Sequence, residues 1–243
     1  MSVGILPLQV AGEIEEGADL ASLVLDVAPP LLDGDVVVLT HKAVSKSEGR
    51  IVDLTGVEPS PRALELARDG GDPRHLEVVL RESRRIVRRR GSLLICETHH
   101  GFVCASAGVD RSNTPGADLV VLLPVDPDAS AARVREALRA RSGRTVGVIV
   151  ADTMGRPLRN GIVGTAIGVS GVEPLHSLQG EIDPNGYELR TTQVAVADEL
   201  AAAADLVFGK LARVPAALVR GYASAGEGTA AELIRPAGRD LFI

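Results

Sequence analysis

The stretch DGDVVVLTHKAVSKSEGR, residues 33–50, contains the pattern on which the fold prediction rests. Its first three residues predict a turn, and the apolar run VVVLT at 36–40 predicts a buried strand directly after it. The polar run THKAVSKSEGR at 40–50 then predicts a loop at the end of that strand. A second apolar run, TVGVIVAD at 145–152, predicts another strand with a polar end. Strand ends of this kind are where sheet proteins commonly bind ligands.

Outward from these two strands, segments with helical spacing alternate with further apolar runs. Helices are predicted at 18–28, 61–70, 72–90, 130–143 and 194–212, and strands at 92–96, 101–109, 118–124 and 216–222. Asp72 and Pro73 suit the N-cap and first position of the 72–90 helix, whose second half carries six arginines. Because no linker-like stretch divides the chain, we expect a mixed α/β (α+β) fold in one domain, residues 1–243, with any two lobes closely associated.

The composition is that of an ordinary globular protein, with 45% hydrophobic and 24% charged residues. The net charge of −6 and the aromatic content of 2% disfavour nucleic-acid binding, which needs cations and stacking surfaces. Neither a membrane-length apolar run nor a signal-peptide pattern is present, so we expect a cytoplasmic protein without membrane partners. Cys96 and Cys104 are expected to be buried as small hydrophobes.

Three common catalytic motifs are absent from the sequence: G-x-x-x-x-G-K-[ST], G-x-G-x-x-G and G-x-S-x-G. Their absence disfavours a P-loop enzyme, a Rossmann dehydrogenase and an α/β-hydrolase.

Oxygen-bearing side chains follow two of the predicted strands. GVDRSN at 108–113 supplies Asp110 and Asn113, and the 145–152 strand ends in Asp152 and Thr153. Two carboxylates with a neighbouring hydroxyl are the donors that Mg²⁺ or Mn²⁺ prefers. The alternative is that each aspartate caps the turn that follows it.

Two cationic segments favour anionic ligands. Lys42 and Lys46, two of the three lysines in the chain, lie among hydroxyl residues in the 40–50 run, which suits phosphate oxygens. The arginine run at 81–90 would attract an anionic substrate. A solvated loop and a solvated helix face remain the alternatives for these two segments.

Several blocks of sequence carry a resemblance to a known family. HGFVCASAGVDRSN at 100–113 and ADTMGRPLRNG at 151–161 are the longest and most specific of them. With these blocks, the chain resembles the coenzyme F420-0:L-glutamate ligase (gamma-glutamyl ligase) family from about residue 5 to about residue 222.

The resemblance implies an activity and an assembly. The activity is that of an acid–amino-acid ligase, which uses GTP to join L-glutamate to the lactyl carboxylate of a deazaflavin precursor through an acyl phosphate. It then adds further γ-linked glutamates. The resemblance also implies Mg²⁺ or Mn²⁺ at two sites, an activity that is helped by K⁺, and an intertwined homodimer with a family-specific mixed α/β fold. No fused nitroreductase domain is expected in this chain.

The resemblance also implies a set of site residues. Asp110, Asp152 and Thr153 would bind metal, and Asp110, Asp152 and Lys46 would be catalytic. Residues implied to contact GTP are Ala11, Gly12, Glu13, Ile14, Thr40, His41, Lys46, Asn113, Phe208, Gly209 and Lys210. Two positions depart from the family pattern: AGEI at 11–14 replaces a run containing Leu-Pro, and His41 replaces a small hydroxyl residue.

The residues alone leave two other functions open. A metal-dependent nucleotide phosphohydrolase would use the same carboxylates and lysines but would hydrolyse GTP without glutamate. A binding module would hold GTP or a deazaflavin without consuming GTP.

Overall fold

The computed structural model describes residues 2–114, 116–209, 211–222 and 226–239. The strands are β1 (Gly4–Leu8), β2 (Val36–Thr40), β3 (Ile51–Asp53), β4 (Ser83–Arg90), β5 (Leu93–Thr98), β6 (Val103–Ala105), β7 (Leu119–Val121), β8 (Gly147–Arg156), β9 (Arg159–Ser170), β10 (His176–Ser177), β11 (Gln193–Val194) and β12 (Ala216–Arg220). The α-helices are α1 (Leu20–Val27), α2 (His41–Ser47), α3 (Pro61–Leu66), α4 (Pro73–Arg81), α5 (Pro127–Ser142) and α6 (Val196–Phe208). These elements confirm a mixed α/β fold.

A five-stranded sheet in the order β1-β12-β2-β8-β9 is the largest sheet of the protein. Three of its strands, β2, β8 and β12, were predicted, and β2 and β8 are neighbours that run parallel, with Val36 opposite Gly147 and Thr40 opposite Ala151. The other pairs in this sheet are antiparallel. Because β2 and β8 are parallel and in register, the polar residues after Thr40 and Ala151 lie side by side, although β8 continues to Arg156 in its pairing with β9.

Both faces of this sheet are buried, which explains the continuous apolar run of β2. Val37 and Leu39 pack in a cluster with residues of α1 and α5. Val36 and Val38 point to the other face and pack in a cluster with α6. A strand covered on both faces needs apolar residues at every position rather than at alternate ones.

A third hydrophobic cluster lies among the smaller elements. It joins α3 and α4 to the sheet β4-β5-β6 and to the pair β3-β7. Cys96 and Cys104 lie opposite each other in β5 and β6, and both are buried free thiols. The prediction that they are buried small hydrophobes is confirmed.

The predicted helix at 72–90 is wrong in its second half. Asp72 does cap α4, because its side chain accepts a hydrogen bond from the Arg74 amide, but the helix ends at Arg81. Residues 83–90 form β4, an edge strand in which Arg85 pairs with Glu97 of β5. Arginine's helix propensity is weak compared with a full ladder of strand pairing, so tertiary context decides the structure here. The arginines therefore lie along a strand and do not share a helix face.

The polar run at 40–50 is also different from the predicted loop. It forms α2, with Thr40 as N-cap accepting a hydrogen bond from the Ala43 amide. Its buried residues include His41 and Lys46, so the face toward the protein is not a solvated one. Within the described residues, no helix has the length and apolar character needed to cross a membrane.

Candidate functional site

A cavity of about 240 Å³ opens at the carboxyl end of β2, beside residues 151–153 in the middle of β8. The predicted site residues that line it are Gly12, Glu13, Ile14, Thr40, His41, Lys46, Asp110, Asn113, Asp152, Thr153, Phe208 and Gly209. Ala11 is exposed and is not among the lining residues, and Lys210 lies outside the described residues. The chain thus brings together most of the residues that the family resemblance implies, from segments far apart in sequence.

Lys42, which the polar run at 40–50 marks with Lys46 as a candidate for phosphate oxygens, also lines the cavity. Three further polar or charged residues line the cavity but were not in the predicted set: Thr114, Asp205 and Arg213. Arg213 and Asp205 have no distinguishing sequence pattern, since they reach the cavity only through the packing of α6 and the turn after it.

The two predicted metal-binding aspartates are held differently. Asp110 pairs with Val121 beside β7, and its Oδ1 accepts a 2.7 Å hydrogen bond from the Ser112 amide. Asp152 lies in β8, and its Oδ1 accepts a 2.7 Å hydrogen bond from the amide of Thr153. Asp110 therefore caps the turn that follows it, as the alternative predicted, whereas Asp152 lies within β8 and accepts from the next amide of that strand. Each also lines the cavity, and their role as metal ligands stays a prediction.

A lysine ammonium occupies one side of the Asp110 carboxylate. Lys42 Nζ lies 2.7 Å from Asp110 Oδ2 and 2.5 Å from the hydroxyl oxygen of Ser112. Burial would raise the pKa of Asp110, but the hydrogen bonds from Lys42 and Ser112 outweigh it and hold the pKa below its usual value. Asp110 is therefore ionised at neutral pH and available to a cation.

Glu13 bridges two other cations of the cavity. Its Oε2 lies 3.0 Å from Lys46 Nζ, and its Oε1 lies 3.3 Å from Arg213 Nη1. The hydrogen bond and charge of Lys46 hold the pKa of Glu13 below its usual value. Lys46 itself is buried, so Glu13 keeps this ammonium paired inside the protein.

His41 lies behind Asp152 and is almost completely buried. Its Nε2 is 3.3 Å from Asp152 Oδ1, and its Nδ1 has no hydrogen-bond partner among the described residues. Burial lowers the pKa of His41, because desolvation disfavours the imidazolium more than the charge of Asp152 favours it. The ring is therefore neutral at pH 7.

The donor set suits a divalent cation with few protein ligands. Among the described residues, no group of three or more His, Cys, Asp or Glu side chains is arranged to hold a metal. Asp110, Asp152 and the Thr153 hydroxyl nevertheless offer oxygen donors in one cavity. Mg²⁺ typically takes one or two carboxylates and completes its octahedron with water and phosphate oxygens. The ammonium of Lys42 at Asp110 shows that this carboxylate accepts a cation from the cavity side.

The loop that carries Asp110 and Asn113 is anchored to α4. Arg111 Nη2 lies 2.7 Å from Asp72 Oδ2, and Asp72 also receives two hydrogen bonds from the Arg74 side chain. Asn113 adopts a left-handed conformation with φ 57°, which asparagine tolerates better than most residues. The same Asp72 that begins α4 thus fixes the loop beside the cavity.

Comparison with known proteins gives consistent matches over nearly the whole chain. A family model described as F420-0:Gamma-glutamyl ligase matches residues 10–221. The chain is 43% identical to the coenzyme F420:L-glutamate ligase of Methanothermobacter thermautotrophicus, with 100% of this chain and 99% of that protein covered. It is 45% identical to the protein of the same name from Methanopyrus kandleri, over 98% of this chain and 96% of that one. The corresponding protein of Methanocaldococcus jannaschii is 44% identical, over 88% and 86% of the two chains.

Proposed function

The chain belongs to the F420-0:gamma-glutamyl ligase family, and from this premise we propose that it joins L-glutamate to the lactyl carboxylate of a coenzyme F420 precursor. In this proposal GTP is the co-substrate and further γ-linked glutamates follow the first. The observation that carries it is the single cavity in which Asp110, Asp152 and Lys46 meet. Relatives named coenzyme F420:L-glutamate ligase that match almost end to end support the same activity.

The reaction needs an activated carboxylate, because a carboxylate and an ammonium group do not condense unaided in water. The lactyl carboxylate oxygen attacks the γ-phosphorus of GTP, and the bond between that phosphorus and the β,γ-bridging oxygen breaks to release GDP. The glutamate ammonium loses one proton to water, and its nitrogen then attacks the carbonyl carbon of the resulting acyl phosphate. The carbon–oxygen bond breaks, the nitrogen gives up a second proton to the departing phosphate, and the amide forms as inorganic phosphate leaves. No step needs a nucleophile from the protein, in keeping with the absent nucleophile motif.

In this reaction the cationic side chains of the cavity would bind the phosphates, and its carboxylates would bind the metal ions. Lys46 and Arg213 offer cations to the phosphates, and Glu13 holds both in place beforehand. Asp110, Asp152 and Thr153 would hold Mg²⁺ or Mn²⁺ at two sites. A bound divalent cation would neutralise charge that develops on the phosphates. Most of the rate enhancement would then come from positioning the carboxylate, the γ-phosphate and the amine.

The remaining lining residues are proposed to hold the nucleotide. This set comprises Gly12, Glu13, Ile14, Thr40, His41, Asn113, Phe208 and Gly209. Ala11 and Lys210 belong to the same proposal through the family resemblance, as do the stimulation by K⁺ and the cytoplasmic location.

The proposed assembly is an intertwined homodimer of subunits with two associated lobes. Support for a dimer comes from the hairpin of β8 and β9, which continues past the last residue that β8 pairs with β2 and exposes Leu158 and Ile162. Support for two lobes comes from the third hydrophobic cluster, which is separate from the two that cover the large sheet.

Mass spectrometry of a complete reaction tests the function directly. The reaction contains the purified protein, a deazaflavin precursor with a lactyl carboxylate, L-glutamate, GTP and Mn²⁺. We expect the precursor to gain one or more glutamyl units, and to gain none when GTP is withheld. Phosphate release without added mass would instead support a nucleotide phosphohydrolase. Binding of GTP or deazaflavin with neither product would support a binding module.

A further inference from the structure

Lys42 lies against the carboxylate to which the proposed function assigns a metal ion. Its Nζ is 2.7 Å from Asp110 Oδ2, and the Ser112 hydroxyl donates to the same oxygen at 3.0 Å. The Ser112 amide donates to the other oxygen, Oδ1, at 2.7 Å. The Lys42 and Asp110 side chains are 18% and 35% exposed, so the contact is partly shielded from bulk water. Both oxygens of Asp110 therefore have partners before any ligand binds.

This arrangement differs from that of the other cations in the cavity. Lys46 and Arg213 are paired with Glu13, which is not part of the proposed metal site. A divalent cation that bound Asp110 would lie within a few ångströms of the Lys42 ammonium. Like charges at that separation repel strongly where water is partly excluded. Lys42 and the metal must therefore compete for one carboxylate.

We propose that Lys42 is an internal counter-cation of Asp110, which holds this carboxylate in the free protein and releases it when metal and nucleotide phosphate bind together. The proposal rests on the proposed function, because it takes Asp110 as a metal ligand. The released ammonium gains phosphate oxygens as acceptors, so the phosphate compensates for the contact that the metal displaces. Metal alone then binds weakly, and the nucleotide and the metal strengthen each other's binding by the same factor.

The opposite role for Lys42 is a fixed support that orients Asp110 while the metal is bound. The two roles predict changes of opposite sign when the ammonium is removed. Competition predicts that Lys42→Met binds metal more tightly in the absence of nucleotide. Support predicts that the same variant binds metal more weakly, because the carboxylate loses its orientation.

The test is a titration of the nucleotide-free full-length protein with Mn²⁺, with free Mn²⁺ followed by electron paramagnetic resonance. We expect Lys42→Met to lower the dissociation constant about tenfold, which corresponds to one charge–charge contact of ordinary strength. Lys42→Arg keeps the charge and should bind Mn²⁺ like the wild type. Arg213→Met is the matched control, because it removes one positive charge from the same cavity without touching Asp110, and its effect should be smaller. Thermal unfolding checks that each variant is folded.

A second readout uses GDP. Addition of GDP should strengthen Mn²⁺ binding by a larger factor in the wild type than in Lys42→Met, because the variant has no ammonium to release. Asp110→Asn should abolish this binding. If Asp110→Asn abolishes it but Lys42→Met binds Mn²⁺ as weakly as the wild type or more weakly, the Lys42 inference is overturned while the metal site stands. If Asp110→Asn leaves Mn²⁺ binding unchanged, the metal assignment in the proposed function fails, and the inference fails with it.

Discussion

Each lysine or arginine described at the cavity already has a carboxylate partner. Lys46 and Arg213 share Glu13, while Lys42 pairs with Asp110. A cation that is partly removed from water needs such a partner, since an unpaired buried charge is strongly disfavoured. When a triphosphate binds, these side chains would exchange their carboxylate partners for phosphate oxygens, and their orientation would already be set. The reorganisation needed at the moment of reaction would be small.

The proposed role of Asp152 gives the first prediction at this scale. Asp152→Asn keeps the shape of the side chain but removes the charge that a divalent cation requires. We expect the rate of glutamate ligation to fall by roughly 10² or more, because metal and phosphoryl stabilisation are lost. The measurement is the initial rate of glutamyl addition by mass spectrometry, at saturating Mn²⁺. Glu58→Gln, at an exposed carboxylate outside the cavity, is the matched control. Near-normal turnover of Asp152→Asn would remove the metal assignment.

Lys46 gives a second prediction, about the nucleotide. Lys46→Met removes a buried ammonium and leaves Glu13 with Arg213 as its remaining charged partner. We expect kcat/KM for GTP to fall by roughly 10², the usual effect of losing one charged donor to a transferring phosphoryl group. Lys46→Arg should recover part of this loss, because it restores the charge with a different shape. Steady-state kinetics with GTP as the varied substrate is the measurement, and an unchanged kcat/KM would contradict the role.

Sequence reasoning could anticipate part of this site. Asp152 and Thr40 end two apolar strands, so their convergence follows from two adjacent parallel strands. The Glu13–Lys46 contact joins residues 33 positions apart, and the contact with Arg213 joins segments from opposite ends of the chain. No local pattern encodes those pairings. The contact with Arg213 also depends on how β12 places the C-terminal segment beside β2.

At the scale of elements, the residue at which a helix starts was easier to predict than the residue at which it ends. Asp72 and Pro73 correctly predict the start of α4, because a cap is decided by local hydrogen bonds. The end of α4 depends on whether residues 83–90 find a strand partner. β5 supplies that partner, and Glu97 accepts from both Arg84 and Arg85. β5 follows β4 after only Gly91 and Ser92, so the partner strand is close in sequence, but the helical spacing of the arginines does not indicate that residues 93–98 pair with them.

The N-terminus of α5 gives a stability prediction. Asp128 Oδ1 accepts hydrogen bonds from the amides of Val169 in β9 and Ala230, both of which are buried residues. Asp128→Ala leaves two buried N–H groups without an acceptor. We expect the free energy of unfolding to fall by about 1–3 kcal/mol or more, the usual penalty for a buried group left unsatisfied. Glu136→Ala, on the exposed side of α5, should change stability little when both are measured by urea unfolding. Equal stability of Asp128→Ala and the wild type would contradict this account.

The strand pair of β5 and β6 gives a prediction about pH. Burial, with smaller contributions from the nearby charges of Asp152 and Cys96, raises the pKa of Cys104 from 9.0 to about 12. The folded state therefore holds this thiol proton at pH values where the unfolded state has released it. The stabilisation is complete below pH 9 and is lost between about pH 9 and 12. Between those limits one such group lowers the free energy of unfolding by about 1.4 kcal/mol per pH unit.

The variant Cys104→Ala isolates this contribution. Urea unfolding of both proteins in a reducing buffer, at pH 8 and at pH 10, measures the free energy at each pH. We expect the wild type to lose more stability than the variant over this interval. Equal losses would show that Cys104 does not titrate differently in the two states.

At the scale of the whole molecule, the cavity lies where two separately packed regions meet. Asp152 belongs to the large sheet, whereas Asp110 follows Val109, which packs in the third hydrophobic cluster. Lys42, which pairs with Asp110, comes from α2, and α2 follows β2 of the large sheet. The proposed metal site therefore takes one carboxylate from each region. Any change in the relative position of the two regions would alter the distance between the two aspartates.

The outer end of the β8–β9 hairpin carries the last prediction. Residues 155–162 are exposed throughout, with Leu158 at 90% and Ile162 at 50% exposure, and they pair with each other rather than with the rest of the sheet. A projecting ribbon with exposed apolar residues is disfavoured in water unless a partner covers it. A second copy of the chain is that partner in the proposed homodimer.

The double variant Leu158→Glu, Ile162→Glu should be a folded monomer, because neither residue belongs to a hydrophobic cluster of the subunit. Light scattering coupled to size-exclusion chromatography measures the mass, and Leu206→Glu, at an exposed leucine of α6, is the matched control that should remain a dimer. A monomeric wild type would remove the homodimer from the proposal, and a dimeric double variant would place the interface away from the hairpin.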